Sequence, residues 1–427
     1  MQRKRFDELE GLRGIAAIVV VIYHFLLAFY LFSFFGGHEN SIQRGFFEDN
    51  LYGNPLMVFL SGTFAVAIFF ALSGFVLSIA FFQVKKAEIV KKMAAKRYIR
   101  LMLPALAATL LCFFAIILGL SRFQEVVAIT QSPWLYASWN FSPTLFDAVK
   151  SAVFGIFVEG ASPFNNVLWT MKTEFIGSFI VFGFLLLCGT LKHRWVGYAF
   201  LIIATFNTWF LPFIAGMLIA DLYSSGYFVQ KKRNLAVIVP SLAALLFLGG
   251  YPFKGPEGTI YQYITFPVDA LNWNMFYLSV AAVGIMWLIL STEQLGRIFR
   301  HPWISRLGKY TFSLYLVHLI VLYTVGMFVF LQFYNSFGWS YDRSVLATLI
   351  LSAPVVGLAA VLFEKFVDAP SVKLSSRFAN IFLGYEKAPN LKVIRRRAMA
   401  KVRKVALIMY PRAKRGEPVV DESEGAA

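Results

Sequence analysis

Two residues in the first apolar stretch of the chain have types and spacing suited to joint chemistry. The segment LEGLRGIAAIVVVIYHF runs from Leu9 to Phe25 and is apolar almost throughout, apart from Arg13 near one end and His24 deep inside. The two are eleven residues apart. On a helix that separation is three turns plus about 20° and a rise of about 16 Å, so both side chains share one face. An anion held at Arg13 would lie in line with a reacting centre at His24. The same spacing also fits an arginine that anchors topology and a histidine hydrogen-bonded within a helix bundle.

Few other ionisable groups stand inside apolar surroundings, and each is costly enough there to be a functional candidate. In AAKRYIRLMLPAL, Arg97 and Arg100 are three apart on one helical face, at a predicted helix N-terminus whose dipole favours anions. Arginine suits bidentate phosphate binding, and the same two residues suit anchoring on the positive side of a membrane. NNVLWTMKTEFIG carries Glu174 within a predicted span, where a carboxylate must pair or face a wet cavity; a histidine partner would gain basicity and orientation from it. Ser73 and Gly74 in FFALSGFVLS read first as close helix packing and second as a nucleophile. LGKYTFSLYLVHLIVLY places Tyr315 and His318 on one face, suited to hydrogen bonding within the bundle or to a role beside His24. The two cysteines, Cys112 and Cys188, lie in apolar segments, and neither a disulfide framework nor a metal site is implied.

The elements that must position these residues are membrane helices. Of the 427 residues, 58% are hydrophobic and only 15% charged, with a mean hydropathy of +0.65. A soluble domain averages about 25% charged residues. Apolar runs long enough to cross a bilayer core of about 30 Å recur along the chain, which predicts an all-α polytopic membrane protein. Ten spans are expected, at 15–35, 56–82, 101–120, 168–190, 195–206, 208–224, 234–250, 274–291, 309–333 and 344–367. Lysine and arginine cluster before span one, in 85–100, and at 192–194, 231–233 and 297–309, whereas loop 36–54 carries Arg44 against Glu39, Glu48 and Asp49. By the positive-inside rule both termini are then cytoplasmic, and 121–167 is mostly outside, with 145–158 on or dipping into the membrane.

The net charge of +17 has the same origin, so it points to topology and anionic lipid rather than to nucleic acid. Residues 1–370 form the expected transmembrane domain. Between 371 and 415 thirteen lysines and arginines stand against one acid, Glu386. That segment is expected to form a cationic amphipathic helix on the inner leaflet, and the acidic end up to 427 to be disordered.

Taken together the motifs resemble the acyltransferase 3 family of integral membrane acyltransferases. LEGLRGIAAIVVVIYH is similar to the family's L-D-G-L-R-G opening, with Arg13 and His24 in its R-x10-H relation. IFFALSGFVLS, KRYIRLMLP, LWTMKTE, LPFIAGMLIA and YTFSLYLVH follow in the family's order, and the likeness runs from about Arg5 to Lys373. Glu10 stands for the usual Asp, and Asp368-Ala369-Pro370 for E-x-P. The resemblance implies transfer of an acyl group, usually acetyl, from cytoplasmic acyl-coenzyme A to a carbohydrate hydroxyl of a surface polysaccharide, a lipid-linked glycan or a related molecule, in a bacterial cytoplasmic membrane. Acyl-coenzyme A is then a substrate, and no permanent cofactor or metal is expected. Arg13, Arg97 and Arg100 would hold its phosphates, and His24 would act as general base or acyl carrier. Glu174 would orient the histidine, with Ser73, Tyr315 and His318 as further candidates. A transporter of a lipid-linked glycan or anion fits the spans too, although no internal repeat is evident.

Overall fold

The computed structural model describes residues 6–36, 48, 51–266, 268 and 271–386. Most of the expected outer loop 36–54, including His38, and the basic tail from 387 onward lie outside the described residues. The architecture is helical, and no strand occurs among the described residues.

Ten apolar helices carry the fold. They are α1 (Asp7–Phe29), α2 (Gly62–Val84), α3 (Ala87–Ile117), α4 (Thr170–Leu187), α5 (Arg194–Thr205), α6 (Leu211–Ser224), α7 (Leu235–Gly249), α8 (Trp273–Ser291), α9 (Thr311–Val321) and α10 (Tyr341–Phe363). Counting their continuous extensions, seven among the described residues are long and apolar enough to cross a membrane by length and composition. They fall at the expected first four and last three spans. The other three, α5, α6 and α7, have 12, 14 and 15 residues. At 1.5 Å per residue each is about 18–23 Å long, short of a hydrocarbon core of about 30 Å. They occupy the expected fifth, sixth and seventh positions, where the polar breaks near 192–194, 207–209 and 231–233 leave little room for longer helices.

Local chemistry explains the ends. Asp7, Glu8 and Glu10 put negative charge on the first turn of α1, where the helix dipole favours it. The Ser61 hydroxyl caps α2 by accepting from the Phe64 amide at 3.2 Å. Asn272 caps α8 in the same way, accepting from Met275 at 3.0 Å. One expectation is corrected here. A helix N-terminus was expected at Arg97, but α3 already begins at Ala87, ten residues earlier. AEIVKKMAAK is rich in strong helix formers, so the membrane helix extends into the basic loop, and Arg97 and Arg100 receive nothing from a terminal dipole.

Helix α2 is the hub, packed against α1, α3, α4, α6 and α8. Its most extensive contact is with α6. A β-carbon on Gly74 would lie 2.0 Å from the Phe213 carbonyl oxygen, and one on Gly216 2.0 Å from that of Ala71. Two bare glycines thus let the backbones of α2 and α6 touch, as small residues do in membrane interfaces.

The stretch between α3 and α4 folds as short helices, among them Phe123–Thr130, Pro133–Tyr136 and Leu145–Lys150, the last closed by a capping box between Thr144 and Asp147. At the other end α10 runs through a π-turn, Glu364–Asp368, into a helix over Ala369–Phe382. No break marks the expected boundary at 370–371, and Ser375 and Ala379 are fully buried.

Candidate active site

Helices α1, α2 and α9 border two cavities, the first completed by α3 and α4 and the second by loops and the start of α8. The first, of about 360 Å³, is basic: Arg13, Arg97, Arg100 and Lys309 line it against the carboxylates of Glu174 and Asp368. The second, of about 510 Å³, is aromatic and polar, lined by Trp134, Trp169 and Trp209 with His24, Thr63 and Asn166, and by one cation, Lys254. Val66 of α2 and Tyr315 of α9 line both. The two chambers therefore adjoin at these two side chains.

In the basic cavity every arginine already touches a carboxylate. Arg13 bonds Glu10 one turn earlier at 2.7 Å. Arg100 bonds Asp368 at 2.5 Å and lies over the Phe312 ring at 5.2 Å. Arg97 donates through Nη2 to Glu174 Oε1, which also accepts from Ser73 Oγ at 2.8 Å. Lys309 pairs with Glu364 at 3.4 Å. The charges do not balance on the lining itself, where four cations face two carboxylates. Arg97 Nε is buried with no acceptor among the described residues. A buried donor without a partner is costly.

Tyr315 is held in the dividing wall by two bonds. Its hydroxyl donates to the Val167 carbonyl at 2.5 Å and pairs with the Thr170 hydroxyl at 2.7 Å. Both partners belong to the segment leading into α4, so this helix start fixes the wall. On the other side, His24 Nδ1 lies 2.9 Å from the Val20 carbonyl and 3.2 Å from His318 Nε2. His318 Nδ1 lies 2.9 Å from the Leu314 carbonyl. Trp134 stands against His24, ring centres 6.0 Å apart. Among the described residues no group of His, Cys, Asp and Glu is arranged to hold a metal ion.

The family profile described as Acyltransferase domain, that of acyltransferase 3, matches residues 6–364. The chain belongs to the acyltransferase 3 family. Among curated proteins it is similar to the O-acetyltransferase PaAT-1 of Phomopsis amygdali, 26% identical over 435 residues that cover 89% of this chain and 86% of that protein. No solved structure matches it significantly. The protein is thus an O-acyltransferase with the helices of an integral membrane protein.

The sequence-derived site residues of this acyltransferase divide between the chambers. Arg13, Arg97, Arg100, Glu174 and Ser73 come together in the basic one, His24 and His318 meet at the aromatic one, and Tyr315 borders both. The structure does not bring Glu174 to His24: that carboxylate is engaged by Arg97 and Ser73, and the neighbour of His24 is an imidazole. Sequence reasoning missed the three tryptophans, because a tryptophan in an apolar run is indistinguishable from an interfacial anchor. It also counted Lys309 only among topology charges. The position of Trp169, directly before Thr170 in the LWTMKTE motif, was the one available signal.

Proposed function

We propose that this acyltransferase moves an acyl group, in the first instance acetyl, from cytoplasmic acyl-coenzyme A to a hydroxyl of a carbohydrate, such as a surface polysaccharide or lipid-linked glycan. The observation that carries this reading is the pair of chambers of opposite chemistry that share Val66 and Tyr315. A polyanionic donor suits the basic chamber. Its phosphates would exchange for carboxylates on Arg13, Arg97 and Arg100, which line that chamber. Sugar rings suit the other chamber, where tryptophan faces supply flat apolar area and Thr63, Asn166 and Asn274 supply hydrogen bonds.

The pantetheine arm would extend along the shared face of α1 from Arg13 toward His24, about 16 Å by helix rise, and pass the Val66–Tyr315 wall with the thioester foremost. His24 Nε2 then takes the proton of the acceptor hydroxyl while that oxygen attacks the thioester carbonyl. The C–S bond breaks, and the imidazolium returns the proton to the departing thiolate. In the covalent variant Nε2 attacks the carbonyl and the C–S bond breaks to release the thiolate; the acceptor oxygen then takes the acyl group from Nε2, and the hydroxyl proton ends on the thiolate. This reading has ten spans, both termini in the cytoplasm and the basic chamber facing the coenzyme A pool; the bacterial cytoplasmic membrane implied by the family's glycan-acylating members is part of the proposal.

The test is direct. Purified protein in detergent is incubated with acetyl-coenzyme A labelled in the acetyl group and with a panel of glycans. Label in a glycan supports the assignment, and hydrolysis or retention of all label on the donor across the panel overturns it. Quenching after donor alone, followed by mass spectrometry of the peptide that contains His24, separates the one-step and covalent routes.

A further inference from the structure

His24 and His318 come from helices 294 residues apart in sequence, yet their rings meet at 3.2 Å between His24 Nδ1 and His318 Nε2, with ring centres 4.9 Å apart. Each Nδ1 also lies 2.9 Å from the carbonyl four residues earlier in its own helix, Val20 for His24 and Leu314 for His318. A carbonyl only accepts. A bare Nδ1 at that distance would set its own lone pair against those of the carbonyl oxygen, with no hydrogen bond between them. The hydrogen-bond pattern is satisfied in one way: both imidazoles carry their proton on Nδ1. His318 then presents a lone pair on Nε2, aimed at the Nδ1–H of His24, which is shared between that lone pair and the Val20 carbonyl.

The consequence for His24 is a bare Nε2. Among the described residues no hydrogen bond reaches that atom, and the ring lines the tryptophan chamber. No carboxylate among the described residues bonds either imidazole.

We propose that His318 is a positioning residue that acts through His24: its Nε2 accepts from His24 Nδ1–H, fixes the ring and keeps the Nε2 lone pair of His24 directed at the acceptor, in a dyad with no fixed negative charge. The proposal rests on the reading above that His24 is the reacting group. A histidine oriented by a carboxylate gains basicity from a full charge. Here the orienting group is neutral, so it directs the lone pair and supports an imidazolium only through a hydrogen bond. Any positive charge formed on His24 therefore stays short-lived, which suits a group that must return its proton to the leaving thiolate within the same turnover.

The test has a spectroscopic arm and a kinetic arm. The chain has five histidines, so enzyme labelled with 15N-histidine gives few ring signals, assigned with His24→Gln and His318→Gln variants. The expected wild-type spectrum shows His24 protonated on Nδ1 and bare on Nε2, with a 15N–15N coupling across the hydrogen bond to His318 Nε2. A His24 ring protonated on Nε2 overturns the proposal. In the kinetic arm, His318→Leu is expected to lower kcat about 10- to 100-fold, the scale of one hydrogen bond to a charged group, with the KM for acyl-coenzyme A changed less than about twofold. His318→Gln, whose amide oxygen can still accept, is expected to regain most of that loss. Equal kcat in wild type and His318→Leu, or equal loss in both variants, overturns the positioning role. Should His318→Leu fail to fold, the wild-type spectrum decides. Should the wild type acylate no glycan, the functional reading falls while the tautomer and coupling still judge the dyad.

Discussion

Replacing Val66 by phenylalanine should stop turnover without abolishing donor binding. Val66 is 6% exposed and, with Tyr315, lines both chambers, so the proposed route from the arginines to His24 runs past it. Tyr315 cannot easily retreat, because its hydroxyl is tied to Val167 and Thr170. A ring added at Val66 must either close that route or push the thioester off line. A misplacement of about 1 Å at a reacting centre costs about 100-fold in rate, so Val66→Phe should lose at least that in kcat. Overpacking costs about 1–3 kcal/mol, which a protein this size survives, and part of the added bulk enters open space. Coenzyme A affinity, measured by calorimetry in detergent, should stay within about threefold, because the arginines proposed to bind its phosphates lie in the basic chamber. Val66→Ala serves as the control and should keep most activity. A folded Val66→Phe enzyme with turnover near wild type would refute the idea that the thioester passes this wall.

Four further outcomes are expected. His24→Ala should lower acyl transfer by about 10²–10⁴-fold, the usual loss of a general base, while size-exclusion behaviour stays normal; near-normal turnover would remove His24 from the chemistry. Alanine at Arg13, Arg97 or Arg100 should raise the acyl-coenzyme A concentration needed for half-maximal rate, and lysine should restore it only in part because the bidentate fork is lost; unchanged donor affinity in all three alanine variants would leave them as topology anchors. Gly74→Leu should destabilise the protein by about 1–3 kcal/mol or more through the α2–α6 contact, seen as a lower midpoint of thermal unfolding in detergent; an unchanged midpoint would contradict the close approach at Phe213. A chain ending at Glu386 should keep its turnover, and a peptide of 387–415 should bind anionic vesicles in a salt-sensitive way, each basic residue contributing about 1 kcal/mol near the surface; lost turnover in the folded truncated enzyme would move the tail into the site.

The parts of this site that were legible in the sequence are those fixed by helical geometry alone. Arg13 and His24 share a helix, so a constant rise and rotation place both, one on each chamber. The apolar runs likewise mark the helices, because a bilayer demands length and apolarity of any span. Hydropathy is blind where helices continue outside the apolar run. It therefore missed the start of α3 at Ala87 and the continuation of the last helix to Phe382. Pairings between distant segments were hidden for a different reason. Glu174 could have met a histidine or an arginine on any neighbouring helix, and only the packing of α3 against α4 gives it to Arg97, 77 residues away. The same holds for His318, whose spacing from Tyr315 marks a face of α9 but not the histidine on α1 opposite it.

The wall between the chambers also has an electrical meaning. In the proposed orientation, water entering the basic chamber from the cytoplasm and the tryptophan-lined chamber from outside would bring both bulk potentials close to Val66 and Tyr315, which line both. The voltage across the membrane would then fall over the wall instead of over the full hydrocarbon thickness of about 30 Å. A unit charge that crosses this wall gains or loses about 2.3 kcal/mol per 100 mV, whereas a neutral acetyl group crosses without cost. In the proposed reaction the arm crosses the wall as a neutral thioester and withdraws as a neutral thiol, its phosphates staying on the basic side, so the transfer is expected to be indifferent to membrane potential. A turnover rate in sealed vesicles that does not change with imposed voltage is the signature of that arrangement.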